Sequence, residues 1–529
     1  MIIINDIEKT YGIKKVFSID RLVLNKEDRI GLIGDNGSGK TTLMNIIEGR
    51  DKDYKGSIDI QNMKVERVDW SEDGARLESL SKSRLKKKDR NFSPGEWYDL
   101  LLSSYLDKDN SFLLMDEPTS HLDRTAKDKL LKKLNDRENG FLLVSHDRDF
   151  IKKTCNRILE IEEGKIYYYK GDYKLYLEEK EKNKNFQKKE YEKYISEKKR
   201  LSGVMEGLDR KKSSIRTTPK RFGNSEARLH KMGGQGNKKK IDKQIKSMES
   251  RIDHLEVKEK PLEKTDIRIE IPEDRKIYAR TLIEGKNINK SYGDKIIFNK
   301  ANFTMEKGDK IALLGPNGSG KTTLINMILN QENIKSHENL KIGYFSQLLD
   351  SLDLEKNVWE NVLEANVYDE TLARRILDRL GLTRDYVNKN IKDLSDGERS
   401  KVKLTKLLVS GFNLLVLDEP TNFFDISTIE ALEELLSNYE GNILFVSHDR
   451  YFIDNIANKL LIIEDKKIKT FKGSLNDYEN PSSINEDELI LDYKIASINS
   501  RLSMEISKEE RDRLELEYKK LIERKRLIK

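Results

Sequence analysis

The sequence predicts an α/β fold. Two tandem copies of one domain are joined by a long antiparallel helical hairpin and followed by a short helical extension. Three observations carry this. Long strings recur in order, apolar runs end in glycine loops that open onto helices, and the segment between the copies carries two apolar stripes at helical spacing.

The recurrence is the strongest signal. "GLIGDNGSGKTTLMNII" (31–47) returns as "ALLGPNGSGKTTLINMI" (312–328). "LLMDEPTSHLD" (113–123) returns as "LLVLDEPTNFFD" (414–425), and "LLVSHDRDFI" (142–151) as "LFVSHDRYFI" (444–453). The last two pairs share one offset of 302 residues. Ordered matches at a fixed offset mark a duplicated unit. In each unit an apolar run leads into a glycine loop and then a helical pattern. Short runs such as "SFLLMDE" and "GFLLVSH" do not alternate, as expected of parallel strands buried on both faces.

Composition bounds the function. The 529 residues are 36% charged and 36% hydrophobic, enough for two or three domains in a very polar chain. No charged-then-apolar leader and no run of about 18 apolar residues occurs, so neither secretion nor membrane spanning is expected. The single cysteine, Cys155, excludes an internal disulfide framework and a cysteine-based zinc site, and a cytoplasmic setting is expected. The net charge is +7, but residues 210–246 hold 13 Lys and Arg against 2 Asp and Glu, leaving the remainder at −4. A basic segment this concentrated points to an anionic partner, most commonly nucleic acid.

Gly34–Thr41 and Gly315–Thr322 fit the phosphate-binding pattern GxxxxGK[ST]. In the first loop Gly34, Asp35, Asn36, Gly37, Ser38 and Gly39 would wrap backbone N–H groups around phosphates. Lys40 would reach the β- and γ-phosphates, and Thr41, with Thr42 behind it, would offer a hydroxyl to Mg²⁺. Gly315, Pro316, Asn317, Gly318, Ser319, Gly320, Lys321, Thr322 and Thr323 repeat the arrangement. Asp116 and Asp418 end apolar strands, well placed to hold Mg²⁺. Glu117 and Glu419 follow and could orient or activate water. His146 and His448, in "SHDR", are candidates for contact with the γ-phosphate.

Together these residues resemble the ATP-binding cassette family over nearly the whole chain outside the centre and tail. The resemblance implies two ATP-binding cassette domains, at 1–171 and 260–481, which pair within one chain and clamp two ATP molecules between them. Each ATP would meet the signature of the opposite cassette: "FSPGE" with Ser93, Gly95 and Glu96, and "LSDGE" with Ser395, Gly397 and Glu398. Tyr11 and Tyr292, each followed by Gly, match the aromatic that stacks on adenine.

There are departures. Pro94 replaces a glycine in the first signature, removing an N–H and fixing φ. Aligning "NMKVERVDW" (62–70) with "NLKIGYFSQ" (339–347) sets Trp70 opposite Gln347, the residue the family uses to bind Mg²⁺, and Trp is no metal ligand. From this position to the signature serine there are 48 residues in the second copy and 23 in the first, so the first cassette has a shortened helical region.

Between the cassettes, over 172–259, Tyr191, Tyr194, Leu201, Met205 and Leu208 form one stripe. Ile241, Ile245, Met248, Ile252 and Leu255 form another. The first helix, about 39 residues, would span ~60 Å. The turn is expected around Gly203–Asn224, and "MGGQGN" (232–237) is expected to break or kink the second helix. Arg210, Lys211, Lys212, Arg216, Lys220, Arg221 and Arg228 would present positive charge near the tip. The tail, 482–529, reads as a charged helical extension.

Two cassettes, a long helical linker and no membrane domain resemble the ABC-F class, and "GNSEARL" (223–229) looks like the start of that class's second linker helix. The resemblance implies a monomeric ATPase that uses ATP and Mg²⁺ and binds the 70S ribosome in the exit site. Its linker would reach toward peptidyl-tRNA and the rRNA of the peptidyl-transferase centre. The absence of an inserted arm and the shortened first cassette favour the antibiotic-resistance group of the Vga, Lsa and Vml type over a housekeeping factor. Pleuromutilins, lincosamides and streptogramin A are the expected drugs. Neither a transporter subunit nor a DNA-maintenance ATPase explains a basic hairpin between two intact cassettes, so neither a membrane subunit nor DNA is expected.

Overall fold

The computed structural model describes residues 1–12, 14–68, 111–119, 122, 124–215, 234–253, 255, 267–293, 295–316, 318–346, 352–422 and 424–479, with isolated positions 498, 514, 518 and 521. The first signature, Trp70, Asn317, Gln347, the shortened helical region, the turn of the linker, and nearly all of the tail fall outside them. Two compact units emerge: Met1–Tyr169 with Asp266–Lys529, and Lys170–Thr265.

The first cassette contributes β1 (Ile2–Tyr11), β2 (Lys14–Leu24), β3 (Arg29–Gly34), β4 (Lys55–Ile60), β5 (Lys64–Arg67), β6 (Ser111–Asp116), β7 (Phe141–Val144), β8 (Arg157–Glu162) and β9 (Lys165–Lys170). Their order in one sheet is β4-β1-β2-β9-β8-β3-β7-β6-β5. The neighbours β8-β3-β7-β6-β5 are parallel. β6 and β7 are buried at every position except Asp116, as non-alternating apolar runs require. Leu114, Leu142, Leu32 and Leu159 pack with Leu43 and Ile47 of the helix Lys40–Glu48 in one core. Each such side chain contributes roughly 1.5–3 kcal/mol by burial.

The second cassette contributes β10 (Thr281–Tyr292), β11 (Lys295–Glu306), β12 (Lys310–Leu314), β13 (Lys335–Ser336), β14 (Ile342–Phe345), β15 (Leu414–Asp418), β16 (Asn442–Val446), β17 (Lys459–Glu464) and β18 (Lys467–Lys472). A sheet β14-β15-β16-β12-β17-β18 lies beside a sheet β11-β10-β13. Helices Val358–Leu363, Glu370–Arg379 and Asp396–Val409 add a helical layer whose Val362, Ile376, Leu377, Val402 and Leu408 are fully buried.

In the second unit, Asp172 caps the helix Tyr173–Ser214, its carboxylate accepting from the Leu175 N–H at 2.9 Å. A second helix spans Gly234–Asp253. Lys212 Nζ meets Asp242 at 2.5 Å, and Glu197 lies in the field of Arg251, so the two helices run antiparallel. One expectation is corrected. The first helix continues through Gly203 and Gly207 to Ser214, so no turn begins at Gly203. Residues 234–237 are helical, and the rest of the expected break, 232–233, lies outside the described residues. Each glycine costs a helix only about 1 kcal/mol, which neighbouring turns and the burial of Leu201 outweigh. No helix of the described residues is long and apolar enough to cross a membrane.

Candidate functional site

Each phosphate loop is a strand-to-helix turn. β3 ends at Gly34 and the helix Lys40–Glu48 starts after Gly39, whose φ of 103° is left-handed. A Cβ at Gly34 would lie 2.6 Å from the Ile161 carbonyl oxygen, and one at Gly39 would lie 2.6 Å from Val16. Only glycine fits both positions. Gly315 and Gly320 repeat this geometry, with φ of 155° and 109°. Lys40 Nζ donates to the Gly34 and Asp35 carbonyls at 2.7 and 2.9 Å, and Lys321 Nζ to that of Gly315 at 2.7 Å. Burial pulls the Lys40 pKa down, opposed by the carboxylates of Asp425, Glu117, Asp35 and Asp116. Ser38 Oγ and Ser319 Oγ are buried without a hydrogen-bond partner among the described residues. A hydroxyl held out of water calls for an acceptor, and phosphate oxygens supply one. Both loops thus fit a nucleotide phosphate.

Asp116 and Asp418 end β6 and β15, as expected. Glu117 and Glu419 follow in left-handed conformations, φ 49° and 47°, which non-glycine residues seldom adopt. This turn aims each carboxylate at its histidine: His146 Nε2 lies 3.4 Å from Glu117 Oε1, and His448 Nε2 lies 3.3 Å from Glu419 Oε1. Burial, then the charge of Lys40, pushes His146 down to about 4. Burial and the neighbouring Asp418 raise Glu419 to about 7. A cleft of about 670 Å³ between the cassettes is lined by Glu117 and His146 on one side and Lys321, Thr322, Glu419 and His448 on the other.

Ser395 begins the helix Asp396–Val409 in a capping box: the Glu398 N–H donates to Ser395 Oγ, and the Ser395 N–H to Glu398 Oε2 at 2.7 Å. Gly397 lies in the first turn. Tyr11 and Tyr292 are both more than half exposed, with Lys9 and Lys290 above their rings. Each ring is thus exposed to solvent with a lysine over one face. Arg210, Lys211 and Lys212 form the last turns of the long linker helix, and Arg216, Lys220, Arg221 and Arg228 lie outside the described residues.

The sequence reading missed the residues that join the cassettes and one that separates the two sites. The Asn36 N–H donates to Asp425 Oδ2 at 2.9 Å, and Ser427 Oγ to Asp35 Oδ1 at 2.6 Å. Arg148 is buried between Glu433 and Asp449 of the other cassette. Arg67 Nη2 donates to Asp116 Oδ2 at 2.9 Å, and the Thr41 hydroxyl meets the same oxygen at 3.2 Å. The aligned strings set Arg67 against Tyr344, so that signal was visible in the repeat.

Two phosphate loops in one chain, each backed by a strand-end aspartate, a glutamate and a histidine, define an ATPase of the ATP-binding cassette class. The family model described as ABC transporter matches residues 19–78 and 298–422. The chain is 33% identical over 485 residues to the ribosome protection protein VmlR of Bacillus subtilis, covering 87% of this chain and 85% of that one. It is 32% identical to the erythromycin resistance ATP-binding protein MsrA of Staphylococcus epidermidis, covering 84% and 93%. It is 28% identical to the energy-dependent translational throttle protein EttA of Escherichia coli K12, covering 85% and 90%. The chain belongs to the ABC-F family of ATP-binding cassette proteins.

Proposed function

We propose that this ATPase binds the large subunit of the 70S ribosome and protects it from peptidyl-transferase-centre antibiotics, its linker entering from the exit site. The observation that carries this is the placement of the chain's most basic segment between two cassettes, in a chain similar over most of its length to a ribosome protection protein and to an erythromycin resistance protein. The similarity to a translational throttle protein supports a housekeeping role as the second reading.

The loop N–H groups and Lys40 or Lys321 bind the triphosphate, and Tyr11 and Tyr292 stack on adenine. Ser395 serves the site of the first phosphate loop, and Ser93 that of the second. Glu117 and Glu419 hold the attacking water and accept its proton, while neutral His146 and its counterpart His448 keep each carboxylate in place through Nε2. A carboxylate raised toward neutrality is matched to taking a proton at physiological pH. Thr322 and Asp418, with Gln347, would hold Mg²⁺ at the second site, where the ion neutralises phosphate charge. ATP binding closes the paired cassettes, and hydrolysis releases the protein from the ribosome.

The test is a susceptibility comparison in a drug-sensitive bacterial host carrying the gene, the Glu117→Gln/Glu419→Gln form, or neither. The gene should raise inhibitory concentrations of lincosamides, pleuromutilins or streptogramin A, and the double variant should not. No shift with any of the three classes would sink the protective role and leave the housekeeping reading.

A further inference from the structure

The two sites differ at the carboxylate expected to hold the metal. β5 and β14 occupy the same place in their sheets. Arg67 pairs in register with Leu114 of β6, and Tyr344 with Val416 of β15. Leu114 and Val416 stand at the same step before Asp116 and Asp418, so Arg67 and Tyr344 are structural counterparts. The Arg67 side chain is only 15% exposed and is held at two points. Nη1 donates to Asn45 Oδ1 at 2.6 Å and Nη2 to Asp116 Oδ2 at 2.9 Å, while Glu48 Oε2 lies 4.0 Å from Nη1.

A guanidinium stays protonated at any physiological pH, and its bond to a carboxylate is charge-assisted. Mg²⁺ demands oxygen ligands in near-ideal octahedral geometry. At the first site Asp116 Oδ2, which accepts from the Thr41 hydroxyl, already accepts from a held cation as well. The residue opposite Gln347 in the aligned strings is Trp70, which has no oxygen to offer. At the second site Tyr344 brings no charge, and Leu329 stands where Glu48 stands in the first. There the cation acting on Asp418 is Lys321 of the phosphate loop itself.

We propose that Arg67 is the resident counter-charge of Asp116, so that the first ATP site binds ATP without a tightly held divalent cation while the second site requires one. This rests on the ATP-site reading above and makes the two sites chemically unequal.

The test uses the full chain and a fluorescent ATP analogue. Lys321→Ala leaves the first site to bind, and Lys40→Ala leaves the second. On moving from magnesium to EDTA, the Lys321→Ala protein should lose less than about threefold in affinity and the Lys40→Ala protein at least about tenfold. Adding Arg67→Tyr to Lys321→Ala should give the first site the dependence of the second. Independently of any variant, Mn²⁺ electron paramagnetic resonance on the unaltered chain with ATP should count about one bound ion per two nucleotides. Equal EDTA sensitivity of the two single variants, or two tightly bound Mn²⁺ per chain, would overturn the proposal. Failure of both single variants to bind in magnesium would remove the ATP-site reading and this proposal with it.

Discussion

The Asn36 amide, in the first phosphate loop, donates to Asp425 Oδ2 of the second cassette at 2.9 Å. Asp425 also caps the helix Ile426–Ser437, its Oδ1 accepting from the Thr428 N–H at 2.9 Å. One carboxylate therefore starts a helix and fastens it to the opposite ATP site. Asp425→Ala should cost about 1 kcal/mol or more from the lost cap and should weaken nucleotide binding at the Lys40 site. Thermal denaturation with and without ATP reads both effects.

The same residue sets an acid limit. Burial raises the Asp425 pKa, but the Lys401 charge and the N–H groups of Asn36 and Thr428 outweigh it and hold it at about 2. Its stabilising share is complete above the ordinary aspartate value near 3.9 and is lost as pH falls through about 2. Denaturant midpoints between pH 5 and 2 should fall less steeply in Asp425→Asn than in the parent.

Arg148→Leu should be among the most damaging single changes, because it strands Glu433 and Asp449 without their buried cation. Breaking a buried pair from one side costs about 3–5 kcal/mol. Arg148→Leu with Glu433→Leu should recover part of that stability, since fewer charges then stay unpaired. Urea unfolding of the two variants decides it.

His146 is neutral across the working range, held down to about 4 by burial and by Lys40. Its imidazole resonances should therefore show no titration between pH 8 and 5.5. A titration midpoint near 6.5 would remove it as a neutral partner for Glu117.

Neutralising Arg216, Lys220, Arg221 and Arg228, which lie in sequence between the two linker helices, should weaken ribosome binding and flatten its salt dependence. The log–log slope should shrink by roughly 0.7–0.9 for each phosphate that is no longer neutralised. ATPase activity without ribosomes should not change. Substitutions in 203–215 should instead alter which drugs are opposed.

Much of the fold was legible because duplication repeats its evidence. The phosphate loops, the strand-end aspartates and both histidines could be read from short strings whose chemistry requires particular residues at fixed spacing. The long helix is legible from its stripe, but Gly203 in the sequence suggests the start of a turn where the helix in fact continues. Local propensity there is outweighed by helical neighbours and by the burial of Leu201. The pairing of the cassettes was not legible in its details. Arg148 and Glu433 are 285 residues apart, and nothing in a charged residue's local string says that it will be buried against another domain. Arg67 lay between the two. The repeat alignment exposed its difference from Tyr344, but only the folded chain, with β5 beside β6, shows its guanidinium reaching Asp116.

The inequality of the two sites should appear in turnover. With a cation already on Asp116, hydrolysis should run chiefly at the second site, so Glu419→Gln should lower kcat about 10²-fold or more and Glu117→Gln much less. Steady-state phosphate release from the two single variants compares them directly.

ATP-bound cassettes should hold this protein on the ribosome. Sedimentation of Glu117→Gln/Glu419→Gln with 70S ribosomes in ATP tests it most directly. The variant should pellet with ribosomes in ATP and stay in the supernatant in ADP. A variant that binds ATP yet remains in the supernatant in both would contradict it.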